Sequence, residues 1–143
     1  MPVTKAKGNG GTIFLHTDGA STGNPGPSGA GIVLESNVTP PKAYWFPLGI
    51  MTNNQAEYSA LILGLKEAVK LCPDAVHCLL DSELVVKQLR GEYKVRDRGL
   101  QSLHKQVLDL SGGIGTVTYN HVPREENAEA DRLAKRGARA NKR

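Results

Sequence analysis

The amino-acid sequence predicts an α/β fold in which a five-stranded mixed sheet is flanked by helices, in the element order βββαβααβα. Three observations predict it. The first third of the chain contains three short segments rich in β-branched and aromatic residues, as in strands. At Asn53 the spacing of apolar residues changes to a helical period. A short apolar run, Val76 to Leu80, follows that helix and is typical of a sheet strand covered by helices.

The three strands at the start of the chain are predicted to form an antiparallel meander. The first, Thr12 to Thr17, ends at Asp18-Gly19, a dipeptide typical of turns. The segment Gly23 to Pro27 combines glycine, asparagine and proline, so we expect a tight loop there. Gly29 to Ser36 and Lys42 to Gly49 then supply two more strands, whose short connections favour antiparallel pairing.

A long helix and a buried strand are expected next. Between Asn53 and Leu71 apolar residues recur along one face, which predicts an amphipathic helix. Cys72-Pro73-Asp74 ends it. We expect Val76 to Leu80 to be a strand buried on both faces of the sheet.

The last part of the chain predicts two helices, a strand and a final helix. Ser82 to Glu92 and Gly99 to Leu110 are the two helices, joined by a short charged link. Gly112-Gly113 breaks the pattern, and Thr116 to His121 has strand character. Glu125 to Arg139 is rich in alanine and predicts the final helix.

The composition limits the class of protein. The chain has 143 residues, the size of one domain with a real core. No apolar run approaches the roughly 18 to 20 residues of a membrane helix, and the N-terminus has no apolar signal segment. Cys72 and Cys78 fit neither a disulfide framework nor a zinc site, so we interpret them as free thiols in a reducing cytosol. We therefore expect a cytoplasmic monomer with no membrane segment.

Positive charge is concentrated near the C-terminus. The net charge is +4, but residues 132 to 143 hold six basic residues and no acid, which leaves −2 on residues 1 to 131. A weaker basic cluster consists of Lys87, Arg90, Lys94, Arg96 and Arg98. Both features suit a polyanionic partner, and both are also compatible with solvated helix faces and a frayed end. We predict a flexible arm over residues 1–11, a folded domain over 12–137 and a basic tail over 138–143.

Four acids occupy positions in phase with apolar residues, where carboxylates are unusual. They are Asp18 at the end of the first strand, Glu57 early in the long helix, Asp81 after the buried strand and Asp131 in the last helix. Each alone could be a turn, cap or surface residue. If they converge, they repel one another unless cations lie among them, and an all-oxygen donor set favours Mg²⁺ or Mn²⁺ over zinc. A pair of such ions suits phosphodiester hydrolysis.

Four stretches of the chain resemble, in order, the type 1 ribonuclease H family. They are TDGASTGNPGP from Thr17 to Pro27, TNNQAE from Thr52 to Glu57, LDS from Leu80 to Ser82, and NAEAD from Asn127 to Asp131. The likeness extends from about Thr12 to Lys135. It implies a ribonuclease H-like fold, in the short form that lacks the family's basic protrusion. It also implies cleavage of the RNA strand of an RNA/DNA hybrid, with 3′-hydroxyl and 5′-phosphate ends.

The resemblance also implies roles for individual residues. The acidic ligands of two Mg²⁺ ions, for which Mn²⁺ is a substitute, correspond to Asp18, Glu57, Asp81 and Asp131. The positions that test for the 2′-hydroxyl in the minor groove correspond to Asn24, Asn53 and Asn54. Thr52 corresponds to a contact with a DNA-strand phosphate.

Three further positions are less closely matched to the family. His121 lies ten residues before Asp131, the interval of a family histidine that shuttles protons or helps product release. Arg124 is an alternative contact to phosphate. Glu83 stands where the family often has glutamine, so it either loosens a minor-groove contact or brings another acid near the metals. Without a protrusion, affinity for the hybrid depends on the basic cluster and the tail.

Two alternatives to a hybrid-specific nuclease stay open. The same chemistry could extend to double-stranded RNA, because the protrusion is missing and Glu83 is present. The chain could instead be a nucleic-acid-binding module that keeps the fold without cleaving, although its complete set of four acids argues against this.

Overall fold

The computed structural model describes residues 11 to 141, which form five strands, four α-helices and one short 3₁₀ helix. The strands are β1 (Thr12–Ser21), β2 (Gly26–Ser36), β3 (Lys42–Met51), β4 (Ala75–Leu80) and β5 (Thr116–His121). The α-helices are α1 (Asn53–Val69), α2 (Glu83–Leu89), α3 (Arg98–Gly112) and α4 (Ala128–Arg139), and the 3₁₀ helix is Arg124–Asn127. The predicted order βββαβααβα is confirmed.

All five strands belong to one mixed sheet in the order β3-β2-β1-β4-β5. β1, β2 and β3 pair antiparallel, as expected for a meander, with a register shift between Ser28 and Gly29. β4 pairs parallel with both β1 and β5. The two central strands therefore end at the same edge of the sheet.

The first hairpin is longer than the sequence predicts. β1 does not turn at Asp18-Gly19 but continues to Ser21, because residues 18 to 21 pair with residues 28 to 31 of β2. Gly26 and Pro27, which were predicted to lie in a loop, are the first residues of β2. Cross-strand pairing outweighs the local turn preference of Asp-Gly here.

The expectation that β4 is buried on both faces is wrong. Val76, Cys78 and Leu80 are fully buried, whereas Ala75, His77 and Leu79 are only partly buried. α1 packs on the first face with residues such as Leu61 and Leu65. On the other face α4 covers β1, β2 and β3, which leaves β4 half-covered.

Two helices differ clearly from their predicted boundaries. The helix predicted from Ser82 to Glu92 ends at Leu89, and Gly91 follows with φ +81. The last predicted helix begins as the 3₁₀ helix, and α4 starts only at Ala128. α1 begins at Asn53 as predicted, and Thr52 caps it: the Thr52 side chain accepts from Gln55 N while the Gln55 side chain accepts from Thr52 N.

Two glycines of β2 let α4 lie directly on the sheet. A Cβ on Gly31 would lie 2.0 Å from the carbonyl oxygen of Ala130, and one on Gly29 would lie 2.1 Å from the backbone nitrogen of Ala138. A side chain at either position would push the helix away. This close packing carries Asp131 toward the edge where β1 ends.

The predicted arm lies outside the described residues except for Gly11, whose carbonyl accepts a hydrogen bond from Asp74 N. Asn141, in the predicted tail, accepts from Gly49 N and donates to the carbonyl of Ser28. Cys72 and Cys78 are both free thiols. Within residues 11 to 141, no helix combines the length and apolar character needed to span a membrane.

Candidate active site

Three buried or half-buried carboxylates meet beside the end of β4, next to the last part of β1. Asp18, Glu57 and Asp81 each offer an oxygen, and these atoms lie within 4.8 Å of one another. The parallel register pairs His16 with Leu79, so Asp18 stands level with Asp81 two residues further along. Asp18, within β1, and Asp81, just after β4, therefore lie side by side.

Glu57 reaches the other two acids because α1 lies almost against β1. A Cβ on Gly19 would lie 2.2 Å from the carbonyl carbon of Ala56, so only glycine permits this approach. The backbone N–H of Gly19 also donates to Oε1 of Glu57 at 3.4 Å. The glycine after Asp18 thus serves to dock the helix that carries Glu57.

Asp131 lies beside the three-acid group rather than inside it. A hydrogen bond joins its side chain to Asp18. It is 26% exposed, and its Oδ2 also pairs with Nζ of Lys135 at 3.2 Å. The structure therefore brings all four predicted acids to one place, with Asp131 on the solvent side.

Burial and mutual repulsion raise the pKa values of the inner acids. Burial, followed by the charges of Glu57 and Asp81, raises the pKa of Asp18 to about 10. Burial, followed by the charge of Asp81, raises the pKa of Glu57 to about 8. Burial also raises the pKa of Asp81, against the lowering effect of Arg124. The site thus holds protons unless cations replace them.

Sequence reasoning missed the role of Asn127, although it lies in a matched stretch. Asn127 is 1% exposed. Its Nδ2 donates to the carbonyl of Thr17 at 2.9 Å, and a hydrogen bond from its side chain lowers the pKa of Asp81. A lone asparagine before a helix gives no sequence signal that separates this role from a simple cap.

Arg124 and His121 differ in their relation to the acids: only Arg124 is seen to act on them electrostatically. His121 is exposed at the end of β5, where it pairs with Leu80. Arg124 begins the 3₁₀ helix, and its positive charge lowers the pKa of both Glu57 and Asp81. Of the two residues, Arg124 is the one whose charge acts on these two carboxylates.

The predicted minor-groove residues converge. One polar groove is lined by Asn24, Thr52, Asn53, Asn54, Asp97 and Leu100. The backbone N–H of Asn53 donates to Oδ1 of Asn24 at 2.8 Å, which leaves the Asn24 NH₂ group for another partner. The hydroxyl oxygen of Thr52 accepts from Gln55 N at 3.1 Å, and its proton can still be donated.

Glu83 is not a member of the three-acid group. Its side chain is 63% exposed and pairs with Nζ of Lys87 at 3.2 Å. Lys87 also lies over the ring of Tyr93, and Arg90 donates from Nε to the carbonyl of Tyr119. Two members of the basic cluster thus have partners within the protein. In the described part of the chain, Lys94, Arg96 and Arg98 form no ion pair.

Comparison with known proteins places this arrangement among nucleases. A family profile described as "Reverse transcriptase-like" matches residues 16–137. The "Bifunctional protein Rv2228c" of Mycobacterium tuberculosis is 41% identical over 126 residues, which are 85% of this chain and 34% of that protein. "Ribonuclease HI" of Halobacterium salinarum is 40% identical over 126 residues, 87% of this chain and 63% of that protein. The chain thus spans about a third of the length of the first relative and less than two thirds of the length of the second.

Two solved structures are similar over nearly their whole length. RNase H1 from Halobacterium salinarum superposes with a TM-score of 0.86 at 37% identity, covering 90% of this chain and 98% of the other. LC11-RNase H1, solved in complex with an RNA/DNA hybrid, superposes with a TM-score of 0.83 at 33% identity, with the same coverage.

Proposed function

Because the chain belongs to the type 1 ribonuclease H family, we propose that it is an endoribonuclease that hydrolyses the RNA strand of RNA/DNA hybrids. The observation that carries the proposal is the convergence of Asp18, Glu57 and Asp81 within 4.8 Å, with Asp131 beside them. If one of these four acids were missing or replaced by an uncharged residue, a binding module would be favoured instead. The relative solved with an RNA/DNA hybrid supports this substrate class.

The donor set fits divalent metal ions of the hard type. Every donor is a carboxylate oxygen, and burial, followed by mutual repulsion, disfavours the ionised forms of Asp18 and Glu57 when no cation is bound. We propose that the four acids hold two Mg²⁺ ions, for which Mn²⁺ can substitute. When bound, two such ions supply an activated water and charge stabilisation for the leaving 3′-oxygen, giving 3′-hydroxyl and 5′-phosphate ends.

The polar groove supplies recognition of the sugar. A 2′-hydroxyl both donates and accepts, and amides can satisfy both functions. We propose that Asn24, Asn53 and Asn54 contact the RNA strand in this way. The Thr52 hydroxyl donates to a phosphate of the DNA strand, which fixes the position of the hybrid without reading its sequence.

Arg124 is the proposed contact to the reacting phosphate. A guanidinium stays charged at every working pH, so it can neutralise phosphate charge but cannot shuttle protons. His121 remains a candidate for proton transfer, because a neutral imidazole carries both a donor and an acceptor nitrogen. Glu83 is proposed to border the substrate, where its charge weakens one contact. The monomeric state and the cytoplasmic location stay predictions.

Cleavage of labelled duplexes tests the proposal. The protein is incubated with Mg²⁺ and RNA/DNA, RNA/RNA or DNA/DNA duplexes, with Asp18→Asn as the inactive control. We expect cleavage of the RNA strand of the hybrid alone, and retained hybrid binding by the control, which loses metal charge but little contact area. Equal cleavage of both RNA-containing duplexes would extend the substrate to double-stranded RNA. Folded protein that cleaves none of the three with metal present is a binding module.

A further inference from the structure

Two hydrogen-bonded side chains, His16 and Asn127, link the surface of the sheet to the acids. His16 lies on β1, on the face opposite the core. Its Nε2 lies 3.4 Å from Oε1 of Glu35 on β2, and its Nδ1 lies 3.3 Å from Oδ1 of Asn127. Asn127 in turn contacts the carbonyl of Thr17 and the side chain of Asp81. The chain of contacts therefore ends on a proposed metal ligand.

The amide of Asn127 works in only one of its two orientations. Thr17 O and the Asp81 carboxylate are acceptors, so the NH₂ group must face them and Oδ1 must face away. An N–H at Nδ1 of His16 satisfies Oδ1 in this orientation. If the amide turned over, its carbonyl oxygen would face two acceptors and repel both.

Packing alone does not fix this orientation. A small cavity borders the contact, lined by His16, Val33, Glu35, Glu126, Asn127 and Ala130 among others. The oxygen and the NH₂ group of an amide have nearly the same size and shape, so only hydrogen bonds determine which of them lies at which position. His16 supplies the hydrogen bond that does so. Glu35 is 56% exposed, so its contact with the ring contributes little energy.

We propose that His16 is a positioning residue: by orienting Asn127 it fixes the spacing between the ends of β1 and β4, and hence between Asp18 and Asp81. Thr17, whose carbonyl Asn127 binds, directly precedes Asp18 in the chain. This inference rests on the proposed function, because the spacing matters for the two metal ions. Groups that orient metal ligands from outside typically change metal affinity by about 10- to 100-fold when removed.

Two substitutions of His16 test the inference. His16→Phe keeps a planar ring and removes the donor, whereas His16→Asn places an NH₂ group near the position of Nδ1. Mn²⁺ and Mg²⁺ affinity is measured by titration calorimetry, and kcat and KM are measured on the hybrid. We expect His16→Phe to weaken metal binding about tenfold and to lower kcat at unchanged KM, and His16→Asn to restore both. Wild-type metal affinity in folded His16→Phe overturns the inference.

A double-mutant cycle separates positioning from a general loss of stability. Asn127→Leu removes both the NH₂ group and Oδ1 without adding a charge, so adding His16→Phe to it should weaken Mn²⁺ binding no further. Additive losses overturn the inference, because His16 would then act independently of Asn127. The two proposals can fail separately. If the wild-type protein cleaves no duplex but His16→Phe still weakens Mn²⁺ binding, the nuclease activity is rejected and the positioning role of His16 is kept.

Discussion

Carboxylate oxygens of Asp18 and Glu57 lie within 4.8 Å of each other, and both side chains are 4% exposed. Burial, followed by the negative charge of a neighbouring acid, raises the pKa of each: to about 10 for Asp18 and to about 8 for Glu57. In the unfolded chain these acids titrate near pH 4. The folded protein therefore binds more protons than the unfolded one throughout the interval between these values.

The first prediction concerns stability without metal. Because the folded state binds more protons, the free energy of unfolding falls as pH rises from about 5 to 9. The melting temperature in EDTA should drop over this range, by roughly 3 °C for each kcal/mol lost in a chain of this size. The proposed Mg²⁺ ions would bind the ionised acids, so the stabilising effect of added Mg²⁺ should grow with pH.

Asp18→Asn is the matched control for this prediction. The variant has no carboxyl at the most perturbed position, so in EDTA it should melt above the wild type at pH 8 and lose less stability between pH 5 and 9. Thermal melts followed by circular dichroism measure both slopes. A wild-type melting temperature that is flat or rises across this range contradicts the electrostatics of the site.

The sequence could predict the inner acids from their combined positions and not from any one of them. Asp18 and Asp81 could each be a turn or cap residue, but they lie on neighbouring parallel strands, where they are level with each other. The same local reasoning placed a turn at Asp18-Gly19, where pairing with β2 continues the strand. The true reason for Gly19 is its contact with Ala56, which no local pattern contains.

Other features of the site depend on contacts between segments far apart in the chain. Asn127 binds the carbonyl of Thr17 and, on its other side, meets His16. Nothing in the spacing of these residues indicates that they touch. The interval between His121 and Asp131 matches the family, yet the turn after β5 brings the charge of Arg124 to Glu57 and Asp81. The spacing of residues along the chain cannot show which of the two, His121 or Arg124, acts on the acids.

The second prediction compares Arg124 with His121. Arg124→Ala removes a cation that acts on the acids and that we assign to the phosphate, so kcat/KM should fall by about 10- to 100-fold. His121→Ala should slow turnover less. Arg124→Lys keeps the charge and loses the two-pronged donor geometry, and we expect an intermediate rate. Steady-state cleavage of a labelled hybrid measures all three, and a larger loss in His121→Ala would reverse the assignment.

The third prediction concerns recognition of the ribose by Asn54. It lines the polar groove from the first turn of α1, where alanine is well tolerated by the helix. Asn54→Ala removes one hydrogen bond, worth about 1 kcal/mol, so KM for the hybrid should rise about fivefold with little change in kcat.

A modified substrate shows whether that bond goes to the RNA sugar. The wild type should bind a hybrid with 2′-O-methyl groups next to the cleavage site less tightly than the unmodified hybrid. The same modification should lower the affinity of Asn54→Ala much less, because the variant has already lost the contact. Equal losses in both proteins would place the contact elsewhere.

The fourth prediction concerns the affinity of a chain without the basic protrusion. Within residues 11 to 141, Lys94 and Arg96 form no ion pair and border one groove together with Tyr93, whereas Lys87 is held by Glu83 and the Tyr93 ring. Phosphate contacts release counterions, so each lysine or arginine that binds a phosphate adds about one to the slope of log affinity against log salt. The double variant Lys94→Ala, Arg96→Ala should therefore bind the hybrid more weakly at low salt and lower that slope by nearly two.

Lys105→Ala, which removes a lysine already paired with Asp109, should leave the slope unchanged. Fluorescence anisotropy at several salt concentrations, on proteins made inactive by Asp18→Asn, measures the slopes. An unchanged slope in the double variant would show that these two side chains remain in solvent when the hybrid binds, because a contact that displaces no counterion adds nothing to it.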